Sequence, residues 1–173
     1  MKRWPVFSLT IAVSLMLLSP AANAQNASDA NDHITAGFLA QQLRAMGLSA
    51  KIDKDESGDP RVNTKVDSYD WAIYFYDCAA GGDLENRGCL SYQFYSGYQV
   101  AASFPLATVN KWNVEKRYAK AYLYLQRDKT YNARIEVDVL VSGTGADPGR
   151  TFQAYFTKMK NSAEGFRKAI GFK

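Results

Sequence analysis

The sequence predicts an α+β domain in which an antiparallel sheet is accompanied by helices. Apolar residues recur at every second position in the segment 133–139, which is the pattern of a strand with one buried face. Two aromatic segments enclose a pair of cysteines, and helical patterns stand before, between and after the runs of strands. Strands that follow one another without an intervening helix are typical of α+β folds rather than of alternating α/β folds.

Length and composition allow one domain and exclude several classes of protein. The chain has 173 residues, of which 47% are hydrophobic and 22% are charged. These values exclude collagen-like and disordered chains. Two cysteines are also too few for a disulfide-dense scaffold. A domain of roughly 150 residues buries about 70% of the surface of its unfolded chain, so a substantial core can form.

The N-terminus has the features of a secretory signal peptide. Two basic residues precede an apolar run over 6–18, and small residues stand at the cleavage positions before Gln25. Cleavage near Ala24 would remove 1–24 and deliver the chain to the periplasm or the medium. The apolar run is shorter than the ~20 residues that span a bilayer, so we expect no stable membrane anchor. The domains are then predicted as a signal peptide over 1–24, a flexible leader over 25–31 and a globular domain over 32–173.

The first half of the domain predicts one helix and four strands. The helix is expected to begin with Asp32 as its N-cap and to end at Gly47. Its apolar face is formed by Ile34, Phe38, Leu39, Leu43 and Met46. The strands are predicted over 48–52, 61–66, 71–76 and 90–95.

Cys78 and Cys89 are predicted to form a disulfide at the base of the hairpin that joins the two aromatic strands. An oxidising compartment favours their pairing, and the loop between them begins with small and turn-forming residues. Closing a loop this short contributes about 3 kcal/mol to stability in the chain-entropy model. A zinc site or a redox couple is disfavoured, because the chain has a single histidine and the spacing is not Cys-x-x-Cys.

The second half predicts a helix, two strands and a long final helix. Pro105 stands in the first turn of the helix that carries Trp112, and Asp147 before Pro148 is a typical start for the last helix. The strands are predicted over 121–125 and 133–139. The predicted element order is therefore α-β-β-β-β-α-β-β-α.

The sequence contains no recognisable catalytic constellation. His33 is the one histidine, and it has no free cysteine or nucleophile elbow to pair with. We therefore expect a protein that is not an enzyme and that uses no cofactor or metal. The segment Asp53–Asp59 resembles the start of an EF-hand loop, but Thr64 replaces the bidentate glutamate, so a hairpin turn is favoured over a calcium site. A small hydrolase that uses His33 or this loop is the least favoured function.

Charge is unevenly distributed along the chain. Residues 25–104 have six basic and eleven acidic residues, whereas residues 105–173 have thirteen basic and six acidic residues. The basic half could meet an acidic partner, lipid headgroups or nucleic acid. Export argues against nucleic acid, and a solvated face is the simplest interpretation of the remaining charge.

Several motifs resemble the YbjN family, whose members are labelled bacterial sensory transduction regulators. They are Leu43-x-x-x-Gly47-Leu48, Asp55-x-x-Gly58-Asp59-Pro60, Tyr74-Phe75-Tyr76-Asp77-Cys78 and the helix-to-strand segment 110–122, which contains Trp112-Asn113 and Arg117. The resemblance spans about 32–172. It implies a compact α+β domain similar to type III secretion chaperones, and it implies no enzymatic activity.

Five residues are candidates for a binding role: Trp112, Asn113, Arg117, Tyr74 and Tyr92. Trp112 is expected to anchor the core, Asn113 to cap or turn the chain, and Arg117 to hold the helix–strand junction through carbonyls or a carboxylate. A groove between this helix and the aromatic sheet is the predicted site. We expect an exported regulatory module that acts through contacts with a protein partner. The alternative is a chaperone-like homodimer that holds an exported client.

Overall fold

The computed structural model describes residues 33–172, which form three helices and one six-stranded antiparallel sheet. The predicted signal peptide 1–24, the predicted leader 25–31 and Asp32 lie outside the described residues. The helices are α1 (Ala36–Ala45), α2 (Leu106–Glu115) and α3 (Pro148–Ala169). The strands are β1 (Lys51–Lys54), β2 (Pro60–Val66), β3 (Tyr69–Cys78), β4 (Cys89–Val100), β5 (Lys120–Leu125) and β6 (Tyr131–Leu140).

The α+β class and the order α-β-β-β-β-α-β-β-α are confirmed. Within the sheet the strands lie in the order β1-β2-β3-β4-β6-β5, and all neighbours are antiparallel. Strand β6 thus inserts between β4 and β5, which leaves β1 and β5 as the two edges. Pairing between strands joined by a short turn can be predicted from a sequence. The pairing of β4 with β6 is harder to predict, because helix α2 and strand β5 lie between them in the chain.

The start of α1 differs from the prediction. The helix begins at Ala36, and the hydroxyl oxygen of Thr35 accepts a hydrogen bond from the N–H of Phe38 at 3.1 Å. Thr35 is therefore the N-cap, and the assignment of Asp32 was wrong. The physical reason is tertiary, because Ile34 pairs with Cys89 in an antiparallel bridge and is held out of the helix. Ile34 still contributes to the core, at 2% exposure.

The disulfide between Cys78 and Cys89 is present, as predicted. The two cysteines are directly opposite each other in the register of β3 and β4, with their Cα atoms 3.9 Å apart. They close the loop over residues 79–88, whose backbone also contacts the start of α1. The carbonyl of Glu85 accepts a hydrogen bond from the N–H of Gly37 at 2.8 Å.

All three helices pack on the same face of the sheet and form one core with it. Rings of α3 lie against the central strands: Phe156 is 5.7 Å from Trp71 between centroids, and Phe152 is 5.7 Å from Phe94. The carboxylate of Asp147 accepts from the N–H of Arg150 at 2.7 Å, so the predicted start of this helix is confirmed. Because side chains alternate along a strand, this packing leaves the other face of the sheet without a helix from the described part of the chain.

Candidate binding surface

The face of the sheet opposite the helices is lined by tyrosines. We call it the tyrosine face and define it by Tyr74 and Tyr76 of β3, Tyr95 of β4, and Tyr122 and Tyr124 of β5. Register brings these rings together across the strands, since Tyr95 is opposite Glu136 and Tyr122 is opposite Arg134 on the intervening strand β6. Tyr76 and Tyr124 are exposed, and the other three rings are half-buried.

Arg134 lies at the centre of the tyrosine face. Its guanidinium carbon is 3.7 Å from the ring centroid of Tyr124 and 5.4 Å from that of Tyr95. Nε donates a hydrogen bond to the side-chain oxygen of Asn132 at 3.3 Å. Among residues 33–172, no carboxylate forms an ion pair with Arg134. Aromatic stacking therefore orients this cation while its charge stays available for a partner.

A buried carboxylate stands beside this arginine. Glu136 is 6% exposed, and its Oε1 accepts a short hydrogen bond from the hydroxyl of Tyr122. Its other oxygen is 3.1 Å from Nζ of Lys120, which also lies 3.3 Å from Asp138. Burial lowers the pKa of Lys120, but its hydrogen bonds with Glu136 and Asp138 outweigh that effect and raise the pKa. The lysine therefore remains a cation and compensates the buried charge.

The same hydrogen-bond network continues towards β3. The amide nitrogen of Gln93 donates to Asp138 at 2.5 Å, and the amide oxygen accepts from the hydroxyl of Tyr76 at 3.3 Å. Gln93 is 8% exposed although no helix lies over it, because the long side chains around it exclude water. These bonds fix the positions of polar groups that would otherwise adopt several rotamers.

Burial keeps the tyrosine hydroxyls protonated. It raises the pKa of Tyr95 to about 12. It also raises the pKa of Tyr122, where the hydrogen bond to Glu136 acts in the same direction. The pKa of Tyr76 is raised by burial and by the charge of Glu136. At neutral pH each hydroxyl can therefore both donate and accept hydrogen bonds.

The tyrosine face is concave at its centre. A cavity of about 240 Å³ is bounded by four of its tyrosines together with Gln93, Arg134 and Glu136. A second depression of about 370 Å³ reaches Arg61 and the β1–β2 turn. Such a surface can stack on, and hydrogen-bond to, the side chains of a partner. Within residues 33–172, no three His, Cys, Asp or Glu side chains are grouped as a metal site requires.

Tyr74 and Tyr92 do not share a surface. Tyr74 lies on the tyrosine face, where its ring makes a T-shaped contact with Tyr95 at 5.7 Å. Tyr92 points to the helices and is 1% exposed, and burial raises its pKa. Tyr98 is buried on the same side. Of the two tyrosines proposed for a binding role, only Tyr74 therefore lies on a face that a partner could reach.

Trp112 and Asn113 both have contacts within the fold. The indole of Trp112 is 5% exposed and lies 5.2 Å from the ring of Phe166 on α3. The side-chain amide of Asn113 donates to the carbonyl of Ala121 and accepts from its N–H, both at 2.8 Å. Helix α2 is therefore joined to the edge strand β5 by a two-point contact that resembles strand pairing.

Arg117 is exposed, and its guanidinium carbon lies 5.3 Å from the ring centroid of Tyr118. The groove predicted between α2 and the aromatic sheet is filled by Val109 and Trp112, which are buried there. A groove does exist beside α2, but it lies towards α3. Its volume is about 380 Å³, and Trp112 and Arg117 are both in its lining.

Comparison with known protein families assigns this chain to one of them. The family model of YbjN, described as "Putative bacterial sensory transduction regulator", matches residues 36–172. The chain belongs to the YbjN family. The crystal structure of YbjN from E. coli, "a putative transcription regulator", is similar with 18% identity and a TM-score of 0.52, over 79% of this chain and 89% of that chain. This chain and the E. coli protein therefore have the same fold.

An uncharacterized protein from Methanothermobacter thermautotrophicus has 9% identity and a TM-score of 0.46, over 79% of this chain and 99% of that chain. Among curated proteins, none matches this sequence.

His33 and the Asp53–Asp59 segment, which were also considered for chemistry, lie apart from each other in this YbjN domain. His33 is exposed and lines a cavity of about 550 Å³ between the starts of α1 and α3. The Asp53–Asp59 segment is a hairpin turn, in which one carboxylate oxygen of Asp55 accepts from the N–H groups of Ser57 and Asp59. The turn does not reach the His33 cavity. No helix within residues 33–172 has the length and apolarity that a membrane span requires.

Sequence reasoning missed the residues on the tyrosine side of the sheet that come from β5 and β6. Alternation did predict that Arg134, Glu136 and Asp138 point away from the core. Their combination with Tyr95 requires the pairing of β4 with β6, and no local pattern indicates that pairing.

Proposed function

We propose that this chain is an exported, non-enzymatic YbjN-family module that acts by binding a protein partner on its tyrosine face. The observation that carries the proposal is the composition of this face. On the side of the sheet that the helices of residues 33–172 leave uncovered, five tyrosines of β3, β4 and β5 surround a stacked arginine, which no carboxylate among those residues pairs with.

Tyrosine and arginine are the residues most enriched at the centres of protein interfaces, together with tryptophan. Three of the large hydrophobic side chains that are exposed lie on this face: Tyr76 at 41%, Tyr124 at 49% and Leu140 at 64%. The buried network beneath them is already ordered, so little side-chain entropy remains to be lost when a partner binds.

Export is supported by the sequence and by the disulfide. The signal-peptide features precede Gln25, and Cys78 is bonded to Cys89. Structural disulfides are characteristic of oxidising compartments such as the periplasm. A periplasmic regulator would bind its partner outside the cytoplasm, so a role in sensory transduction would begin on that side of the membrane.

The interface is tested by photo-crosslinking in cells. A photoreactive phenylalanine analogue is placed at Tyr76 on the tyrosine face or at Met46 on the end of α1, which is 40% exposed. We expect a discrete adduct from position 76, and we expect Arg134→Ala to abolish it. An adduct of the same mass from position 46, or an adduct that is unaffected by Arg134→Ala, contradicts the proposed interface.

Export is tested separately by fractionation. The protein released by osmotic shock should have the intact mass of a chain that begins at Gln25. It should show no reactive thiol until it is reduced. Retention of residues 1–24, or two free thiols in the released protein, is incompatible with an exported disulfide-bonded module.

A further inference from the structure

Helix α2 has apolar side chains on its exposed side as well as in the core. Val114 is 87% exposed and Leu106 is 57% exposed, and Ala107 in the first turn of the helix is exposed too. Tyr118, in the turn after the helix, is 60% exposed. Three of the eight large hydrophobic side chains that are exposed in residues 33–172 thus lie on α2 and the turn after it. Burial against something outside this fold would remove them from water.

The charges around this apolar surface are mainly positive. Lys116 and Arg117 follow the helix, and Lys158 of α3 lies above the ring of Tyr118 at 4.5 Å. Within the described residues, none of these three cations has an ion pair with a carboxylate. Glu115 is the acid nearest to them in the sequence, and its carboxylate is 3.7 Å from Lys111. The surface is therefore complementary to a negatively charged partner.

The groove between α2 and α3 is a suitable place for an anionic group. Its lining includes the cations Lys116 and Arg117 and the hydrogen-bonding side chains of Asn161 and Ser162. Glu115 is also in the lining, and its negative charge is offset by Lys111, whose Nζ lies 3.7 Å from its carboxylate. Gly165 is in the lining too, and a Cβ atom there would lie 3.3 Å from the indole of Trp112. A volume of about 380 Å³ can accommodate a phosphate group with part of its ester.

We propose that α2 and the turn after it dock on an anionic phospholipid surface, with a headgroup phosphate in the α2–α3 groove. Exposed apolar residues beside lysine and arginine are the combination by which surface helices bind anionic membranes. The apolar side chains outside the groove favour a bilayer over an acidic protein segment or a free phosphate, because those ligands would leave Val114 and Leu106 in water. Helix α2 packs on the side of the sheet opposite the tyrosine face, so a bound membrane leaves that face accessible.

Vesicle sedimentation tests the proposal with the purified exported protein. Vesicles of phosphatidylcholine and phosphatidylglycerol in equal parts are compared with vesicles of phosphatidylcholine alone. The double variant Lys116→Ala, Arg117→Ala should bind the anionic vesicles about 30-fold more weakly, because each basic residue near such a surface contributes roughly a fivefold factor. Val114→Ser should weaken binding about tenfold through lost apolar burial.

Two matched variants serve as controls. Lys54→Ala removes an exposed cation from β1, and Leu140→Ser replaces an exposed apolar side chain on the tyrosine face. Both should bind vesicles like the unmodified protein, and thermal unfolding should show that all four variants are folded. Equal binding to neutral vesicles, or unchanged binding of the double variant, overturns the proposal. Binding to poly-glutamate but not to vesicles would assign the surface to an acidic protein. If glycerol phosphate competed fully and Val114→Ser had no effect, the groove would be a simple anion site.

Discussion

At the residue scale, Gly37 shows how one absent side chain fixes the position of the disulfide-closed loop. It is the second residue of α1, and a Cβ atom there would lie 2.9 Å from the carbonyl oxygen of Glu85 and 2.7 Å from its Cγ. The backbone of the loop would have to move. We expect Gly37→Ala to lower the free energy of unfolding by about 1–3 kcal/mol, the usual cost of overpacking, as measured by urea denaturation.

Gly149 provides the matched control for this prediction. It is the second residue of α3, and a Cβ atom there would be 3.4 Å from a carboxylate oxygen of Asp147, which is ordinary contact. Helix propensity then decides the result, and Gly149→Ala should leave stability unchanged or raise it by up to ~1 kcal/mol. Equal losses at the two positions would mean that steric contact with Glu85 is not the cause.

Tyr95 makes stability depend on pH in the alkaline range. Burial raises its pKa to about 12 in the folded protein, whereas a tyrosine in an unfolded chain titrates near 10. Below about pH 10 the phenol is protonated in both states, and its contribution to stability is complete. As the pH rises towards 12, the unfolded chain releases the proton first, so the free energy of unfolding falls.

Tyr95→Phe should make the loss of stability above about pH 10 less steep. The phenolate absorbance of the native protein minus that of the variant should show a phenol with a midpoint near 12. The same difference measured in urea should have its midpoint near 10. A native midpoint equal to the one in urea would show that this hydroxyl is solvated in the fold.

At the element scale, Asn113 acts as a short partner for the edge strand β5. The N–H and the carbonyl of Ala121 both bond to the side-chain amide of Asn113. These backbone groups of Ala121 therefore point away from β6. The turn between β5 and β6 is consistent with this orientation. The N–H of Gln126 bonds to the carbonyl of Thr130, which places the backbone groups of the even-numbered residues of β5 on the β6 side. One position of an otherwise open edge is thereby closed.

Removing this contact should loosen the attachment of α2 to the sheet. Asn113→Ala loses both hydrogen bonds and should cost about 2 kcal/mol. Amide exchange at Ala121 should accelerate in this variant. Asn110→Ala, an exposed change on the same helix, should have little effect. A loss at Asn110 equal to that at Asn113 would attribute the change to helix propensity.

The elements were predictable where the signal is local. The alternation in β6, the Asp147–Pro148 start of α3 and the cysteine pair are all read from neighbouring residues. The N-cap of α1 was wrong because Ile34 pairs with Cys89, a residue distant in sequence.

The candidate surface was predictable only in part, for a reason of register. Once Cys78 is opposite Cys89, Tyr74 must be opposite Gln93, and Tyr92 must be opposite Phe75 on the other face. The disulfide prediction thus already contained the information that separates Tyr74 from Tyr92. Arg134 and Tyr122 could not be added in this way, because the place of β6 between β4 and β5 depends on contacts between distant parts of the chain.

At the scale of the whole molecule, the two faces of the sheet differ in how they are stabilised. The helix side is a continuous apolar core, whereas the tyrosine face is a hydrogen-bonded network around Glu136 and Gln93. An apolar core tolerates few changes of volume, whereas the network around Glu136 and Gln93 depends on keeping its buried charge and amide paired. This division means that the tyrosine face does not have to meet the packing requirements of the apolar core.

A single core predicts that the domain unfolds as one cooperative unit. In the chain that begins at Gln25, Trp71 and Trp112 are the two tryptophans, and both contact α3, through Phe156 and Phe166 respectively. In Trp112→Phe and in Trp71→Phe, the fluorescence of the remaining tryptophan and the far-UV circular dichroism should change at the same urea concentration within each variant. If Trp112 fluorescence changed at a lower urea concentration than the circular dichroism, α2 would be a separately unfolding element, and the core would consist of two units rather than one.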